Sequence, residues 1–167
     1  MSYPRPTPEP FTPDQESVWD YPRPPVAEPT VAHIVIEHAG LIVADTRASV
    51  RILETSHPPS YYIPQTDIAA GVLRRAQGSS ICEWKGAAVY WDVVIGDIVL
   101  PRVGWSYPNP TGPFALLRDH VAFYARPFDG CSVDGEKVTP QPGGFYGGWI
   151  TSKIAGPFKG VAGSRGW

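Results

Sequence analysis

Cysteine is nearly absent from this chain: of 167 residues only Cys82 and Cys131 are cysteines, 49 positions apart. That separation is neither a disulfide framework nor a zinc-ligand spacing, so two reduced thiols are expected. Also missing are GxGxxG after a strand, GxxxxGK[ST], HExxH, GxSxG and CxxC. Their absence removes the dinucleotide fold, the P-loop, the zinc peptidase helix, the hydrolase elbow and the dithiol redox site. His33 and His38 flank one strand at an odd spacing, face opposite sides and cannot share a metal without distortion. No metal and no cofactor is implied. Charge of one sign is scarce as well: 14 Lys and Arg against 16 Asp and Glu leave a net −2. Nothing in that balance pulls the chain toward a nucleic acid polymer or an anionic membrane, so an anionic ligand must be held by local cations. No apolar run approaches the roughly 20 residues of a membrane span. The opening "MSYPRPTPEP" lacks the basic and apolar regions of a secretory signal, and a cytoplasmic location is expected.

What is abundant is proline, glycine and aromatics, unevenly spread. The length suits one domain with extended ends. Residues 1–29 carry nine of the 20 prolines with five acids and two bases. Such an arm cannot form a helix or a central strand, and Trp19 and Tyr21 in "ESVWDYPRPP" predict that it lies against the domain. Residues 30–140 form the domain proper, with β-branched and aromatic residues in short runs separated by turn chemistry. Hairpin turns are expected at Ala39-Gly40, Gly96-Asp97 and Asp134-Gly135. Only two short helices are predicted, over "TDIAAGVLRR", where Gly71 is a weak point, and over "PFALLRDH", led by Pro113. Residues 141–167 contain eight glycines, three cations and no acid. Their glycines could make a flexible linker, but Phe145, Tyr146, Trp149 and Phe158 argue that the extension packs.

Three stretches could carry chemistry. In "SSICEWKGAAVYWD" a regular strand would put Cys82 and Trp84 on one face and Glu83 and Lys85 on the other. Cys82 and Trp84 would then be core and the charges solvated, unless a bulge at Gly86 re-aims Lys85. In "LETSHPPSYYIP", Glu54 follows Val50 and Ile52 at even spacing and is carried toward their face. A carboxylate aimed inward needs a structural partner, or else it is an acid or base held for catalysis. His57, in the rigid loop before Pro58-Pro59, could be a general base or simply exposed. In "GWSYPNP", Trp105 and Tyr107 between prolines make a stiff wall that suits either stacking on a flat ligand or closing the bottom of a barrel.

Taken in order, "LETSHPPSYYIP", "CEWKGAAVYWDV", "WSYPNP" and "HVAFY" resemble the bacterial DUF427 family, whose domain profile also carries the label nucleotidyltransferase. The resemblance covers about residues 32–128, and the two ends resemble the extensions of its actinobacterial-type members. It implies a compact, mainly β domain similar to the β-tent or Mss4-like class, two antiparallel sheets meeting at an angle. On the family's motif, Glu54, Tyr62, Cys82, Lys85 and Tyr90 occupy the characteristic positions. The Gly-Ser motif and paired aspartates of nucleotidyltransferases are absent, as are the zinc-binding cysteine pairs of β-tent proteins. Together these readings predict a cleft between sheets with Glu54, Lys85 and Tyr62 as the reactive set. Cys82, Trp84, Tyr90, Trp105, Tyr107 and His57 are expected to complete it as binding residues. The expected partner is a small flat or anionic metabolite, turned over by an enzyme or held by a non-catalytic module; no oligomeric state follows.

Overall fold

The computed structural model describes residues 5–82 and 84–167. The chain begins with β1 (Glu16–Ser17), β2 (Val26–Pro29), β3 (Ile34–His38), β4 (Leu41–Thr46), β5 (Val50–Leu53) and β6 (Ser60–Pro64). Long strands follow, β7 (Leu73–Cys82), β8 (Gly86–Ile95) and β9 (Ile98–Ser106), then β10 (His120–Phe123). The last are β11 (Gly130–Val133), β12 (Glu136–Lys137), β13 (Thr139–Pro140), β14 (Trp149–Ile150) and β15 (Ile154–Ala155). The protein is thus mainly β. Two antiparallel sheets dominate, a seven-stranded one in the order β2-β5-β6-β10-β9-β8-β7 and a four-stranded one in the order β12-β11-β3-β4. The first ends in β2 and β7, which do not pair with each other, so the sheet is open and no barrel forms. Two ribbons complete the fold, β13·β14 antiparallel and β1·β15 parallel.

Local chemistry explains the turns. Ala39 and Gly40 both adopt positive φ, as do Asp134 and Gly135, the backbone that a two-residue hairpin between right-twisted strands requires. Gly96, at φ 58°, opens the β8–β9 turn. The helix expected over "TDIAAGVLRR" does not form. Only a 3-10 turn, Gln65–Asp67, forms at its start, and Leu73 already begins β7. Pairing with β8, where Leu73 faces Val93 and Arg74 grips Asp92 at 2.9 Å, outweighs a weak helical preference broken by Gly71 at φ 77°. "PFALLRDH" does become helical, as a 3-10 segment over Gly112–Leu117. No helix among the described residues is long and apolar enough to cross a membrane.

The period of two sorts residues between the faces of the large sheet. Tyr61, Ile63, Val121 and Phe123 point to the main core, where Ile34, Ile36, Val43 and Cys131 of the four-stranded sheet and Trp149 of β14 meet them. Each such large side chain contributes about 2 kcal/mol by leaving water. Tyr62 and Ala122, one residue out of phase, face the other way. That second face carries the candidate site. A third cluster seats the N-terminal arm: Val18, Trp19 and Tyr21 pack with Leu53 and Ile154, and the Trp19 indole donates to the Pro157 carbonyl at 2.9 Å. Arg51 of β5 is clasped from the arm by Glu16 at 2.7 Å and Glu28 at 2.8 Å. The proline-rich arm also supplies β2, an edge strand, the position where a residue without an N–H is tolerated.

Candidate functional site

A row of paired residues crosses the second face: Val50 opposite Tyr62, Tyr62 opposite Ala122, Ala122 opposite Trp105, and Trp105 opposite Tyr90. Above this floor lies a cleft of about 420 Å³, whose lining includes Glu54, His57, Tyr62, Cys82, Lys85 and Tyr90. Trp105 and Tyr107 line it too, on the face of an open sheet rather than at the end of a barrel. The Trp105 indole donates to the Tyr62 hydroxyl at 2.9 Å, and the Tyr90 hydroxyl shares a 2.6 Å hydrogen bond with Ser80. Burial pushes the Tyr62 and Tyr107 phenols well above their ordinary range, so both are neutral walls.

The stretch from Ser79 to Asp92 is not one regular strand. Cys82 pairs with Gly86 across a tight connection that ends β7 and starts β8. The reading of Glu83 falls outside the described residues. Gly86 sits at φ 105°, and a side chain there would also press on the Asn109 carbonyl at 3.3 Å. The connection is tied to the next loop by Thr111, whose hydroxyl donates to the Trp84 carbonyl at 2.7 Å and whose N–H donates to the Lys85 carbonyl at 3.2 Å. Strand alternation fails at such a turn. Cys82 and Lys85 therefore reach the same cleft, whereas Trp84, 37% exposed, does not line it. Lys85 is 9% exposed, with its ammonium 5.7 Å from the Tyr107 ring centre and 5.8 Å from that of Phe114. It makes no ion pair among the described residues.

Glu54 and His57 close a turn in which the His57 N–H donates to the Glu54 carbonyl at 3.0 Å, with buried Ser56 at φ 75°. Their side chains share one side, His57 Nε2 and Glu54 Oε2 standing 3.7 Å apart. Arg23 Nε approaches the same carboxylate oxygen at 3.7 Å. Glu54 and Lys85 thus line one cleft without touching. Burial lowers the His57 pKa to about 4, helped by the positive charges of Lys159, Arg23 and Lys85, so the imidazole is neutral near pH 7.

Part of the lining comes from the C-terminal extension: Gln141, Phe145, Tyr146, Gly147, Gly148 and Lys159. Sequence reasoning did not select these as site residues, although the glycine-aromatic alternation was the available signal. Two glycines are needed for close approach rather than for φ. A Cβ on Gly147 would lie 2.1 Å from the Trp105 ring, and one on Gly148 2.5 Å from the Pro58 carbonyl. The extension is pinned to the Glu54–His57 turn by the Lys159 N–H on the Ser56 carbonyl at 2.9 Å and by the Trp149 N–H on the Pro59 carbonyl at 2.8 Å. Tyr146 stands edge-on to His57 with ring centres 4.9 Å apart, and the Lys159 ammonium lies 5.7 Å from the Tyr146 ring. Among the described residues no three His, Cys, Asp or Glu side chains gather as metal ligands.

A family model described as a domain of unknown function, DUF427, matches residues 26–134, about two thirds of the chain. No curated protein matches it. The matched segment contains the sheet floor, Glu54, His57 and Lys85, and stops short of the extension that roofs them.

Proposed function

The chain belongs to the DUF427 family, and on that premise we propose that it is an enzyme that binds a small, flat anion in the cleft and acts on it by proton transfer. The observation that carries this reading is Lys85. A cation withdrawn from water onto two aromatic rings, with no carboxylate beside it among the described residues, is a costly arrangement that an anionic ligand would complete. Tyr62, Tyr90, Trp105 and Tyr107 supply apolar walls on which a planar ring stacks. Lys85 neutralises the ligand's anionic group, and Glu54, the one carboxylate lining the cleft among the described residues, takes or returns the proton. The His57 imidazole beside Glu54, its pKa lowered to about 4 chiefly by burial, supports catalysis over simple retention, because perturbed titratable groups in a cleft cluster at reacting sites. One observation favours a non-catalytic module: exposed Phe145 and Val161 line one shallow hollow next to the cleft, an apolar surface of the kind a partner covers.

The experiment has two arms. Native mass spectrometry of the purified chain looks for a retained small molecule. Thermal shift then compares adenosine monophosphate, nicotinate and benzoate with their neutral counterparts adenosine, nicotinamide and benzamide. At least one anion should raise the melting temperature of the wild type but not of Lys85→Met. Equal stabilisation by neutral and anionic partners, or none by any of the six together with no retained molecule, would overturn the anion site. A ligand bound by Glu54→Gln and released unchanged by the wild type would favour the module.

A further inference from the structure

Gln141 is 2% exposed, and its amide orientation is dictated by two partners of fixed polarity. The Gly148 N–H, which can only donate, meets Oε1 at 3.0 Å, and the Lys159 carbonyl, which can only accept, meets Nε2 at 2.9 Å. The amide cannot be turned over without breaking both. Its Nε2 also lies 3.0 Å from His57 Nδ1. An N–H pointed at Nδ1 requires that nitrogen to be the bare, accepting one, which leaves the imidazole proton on Nε2. Nε2 stands 3.7 Å from Glu54 Oε2, and both residues line the cleft.

The charged and titratable groups facing His57 come from every element around it. Glu54 belongs to its own turn, Arg23 to the N-terminal arm, Lys85 to the connection after β7, and Tyr146 and Lys159 to the extension. Three of the five are cations, and none offers Nδ1 an acceptor. We propose that Gln141 is a positioning residue that holds His57 as a neutral Nε2–H donor. The site then engages a carbonyl or anionic oxygen of its ligand through His57 and leaves proton abstraction to Glu54. A neutral imidazole cannot serve as a base through a nitrogen already occupied, but it polarises an oxygen well. The C-terminal extension, outside the family match, is on this account part of the reacting constellation.

The role assigned to the ligand rests on the function proposed above; the tautomer does not, and it can be read in the unliganded full chain. Long-range ¹H–¹⁵N NMR at pH 7, with the His57 signals identified by their loss in His57→Gln, should show Nε2 protonated and Nδ1 bare. Gln141→Glu places a carboxylate opposite Nδ1 and should move the proton there or produce imidazolium, a change that a residue serving only to pack would not cause. A wild-type His57 carrying its proton on Nδ1, or charged at pH 7, would overturn the proposal. So would a folded Gln141→Glu with the wild-type tautomer. If Gln141→Glu does not fold, the coupling across the Gln141 Nε2–His57 Nδ1 hydrogen bond in the wild type decides, its presence supporting the proposal and its absence refuting it. Failure of every anion to bind would sink the proposed function and leave this result standing.

Discussion

Replacing Lys85 by methionine separates a ligand-binding cation from a structural one. The substitution keeps the length of the stem and removes the charge. Loss of the two ring contacts, both near the outer limit for a cation over an aromatic face, costs about 1 kcal/mol in all. Relief of the buried charge returns about 1 to 4 kcal/mol, and the thioether recovers part of the ring contact. The net expectation is a gain of about 1 kcal/mol, or a melting temperature raised by roughly 2 to 4 °C in a chain of this size. Affinity for the stabilising anion should fall at least about tenfold, which is 1.4 kcal/mol of differential binding. Thermal melts with urea titration as a cross-check measure the first quantity, and calorimetry the second. If Lys85 instead balances a carboxylate inside the fold, removing it strands that charge and costs about 3 to 5 kcal/mol. A large fall in melting temperature, with anion affinity intact, would refute the reasoning at its root.

Stability should depend on pH through His57. Its folded pKa of about 4 lies below the unfolded value of 6.5, so the unfolded chain binds the extra proton between these limits. The contribution is present above pH 6.5 and lost as the pH falls toward 4, on the order of 3 kcal/mol. Urea midpoints at pH 7, 5.5 and 4.5 should show this slope in the wild type and a flatter one in His57→Asn; equal slopes would contradict it. Gly147→Ala drives a methyl into the Trp105 ring and should cost about 1 to 3 kcal/mol while altering tryptophan fluorescence; an unchanged melt would mean that the extension does not rest on the cleft. Finally, native protein should titrate one fast thiol. Cys82 is partly exposed in the cleft, whereas Cys131 is buried with its thiol pushed up to about 12. Two fast thiols would show the core around Cys131 to be open.

The turn-forming pairs Ala39-Gly40, Gly96-Asp97 and Asp134-Gly135 were legible because a positive φ is a property of one or two residues. The direction of Glu54 was legible for a similar reason: alternation from Val50 and Ile52 needs no knowledge of the partner strand, and Glu54, one residue past the end of β5, lines the cleft beside Ile52. Where the reading depended on what a segment pairs with, it failed. "TDIAAGVLRR" has enough local helical preference to mislead, and only the ladder to β8 makes most of its second half a strand. The split of Cys82 from Lys85 assumed a straight strand through Gly86, and the turn there reunites them while turning Trp84 outward. By itself, then, the sequence determined the strand-rich class, the hairpins and the family motifs on the cleft floor, all encoded over a few neighbouring residues. Tertiary structure alone decided the roof. Gln141 lies 84 positions from His57, and nothing local records that its amide will close on that ring, because the contact exists only after the sheet has formed and the glycine-rich extension has folded back across it.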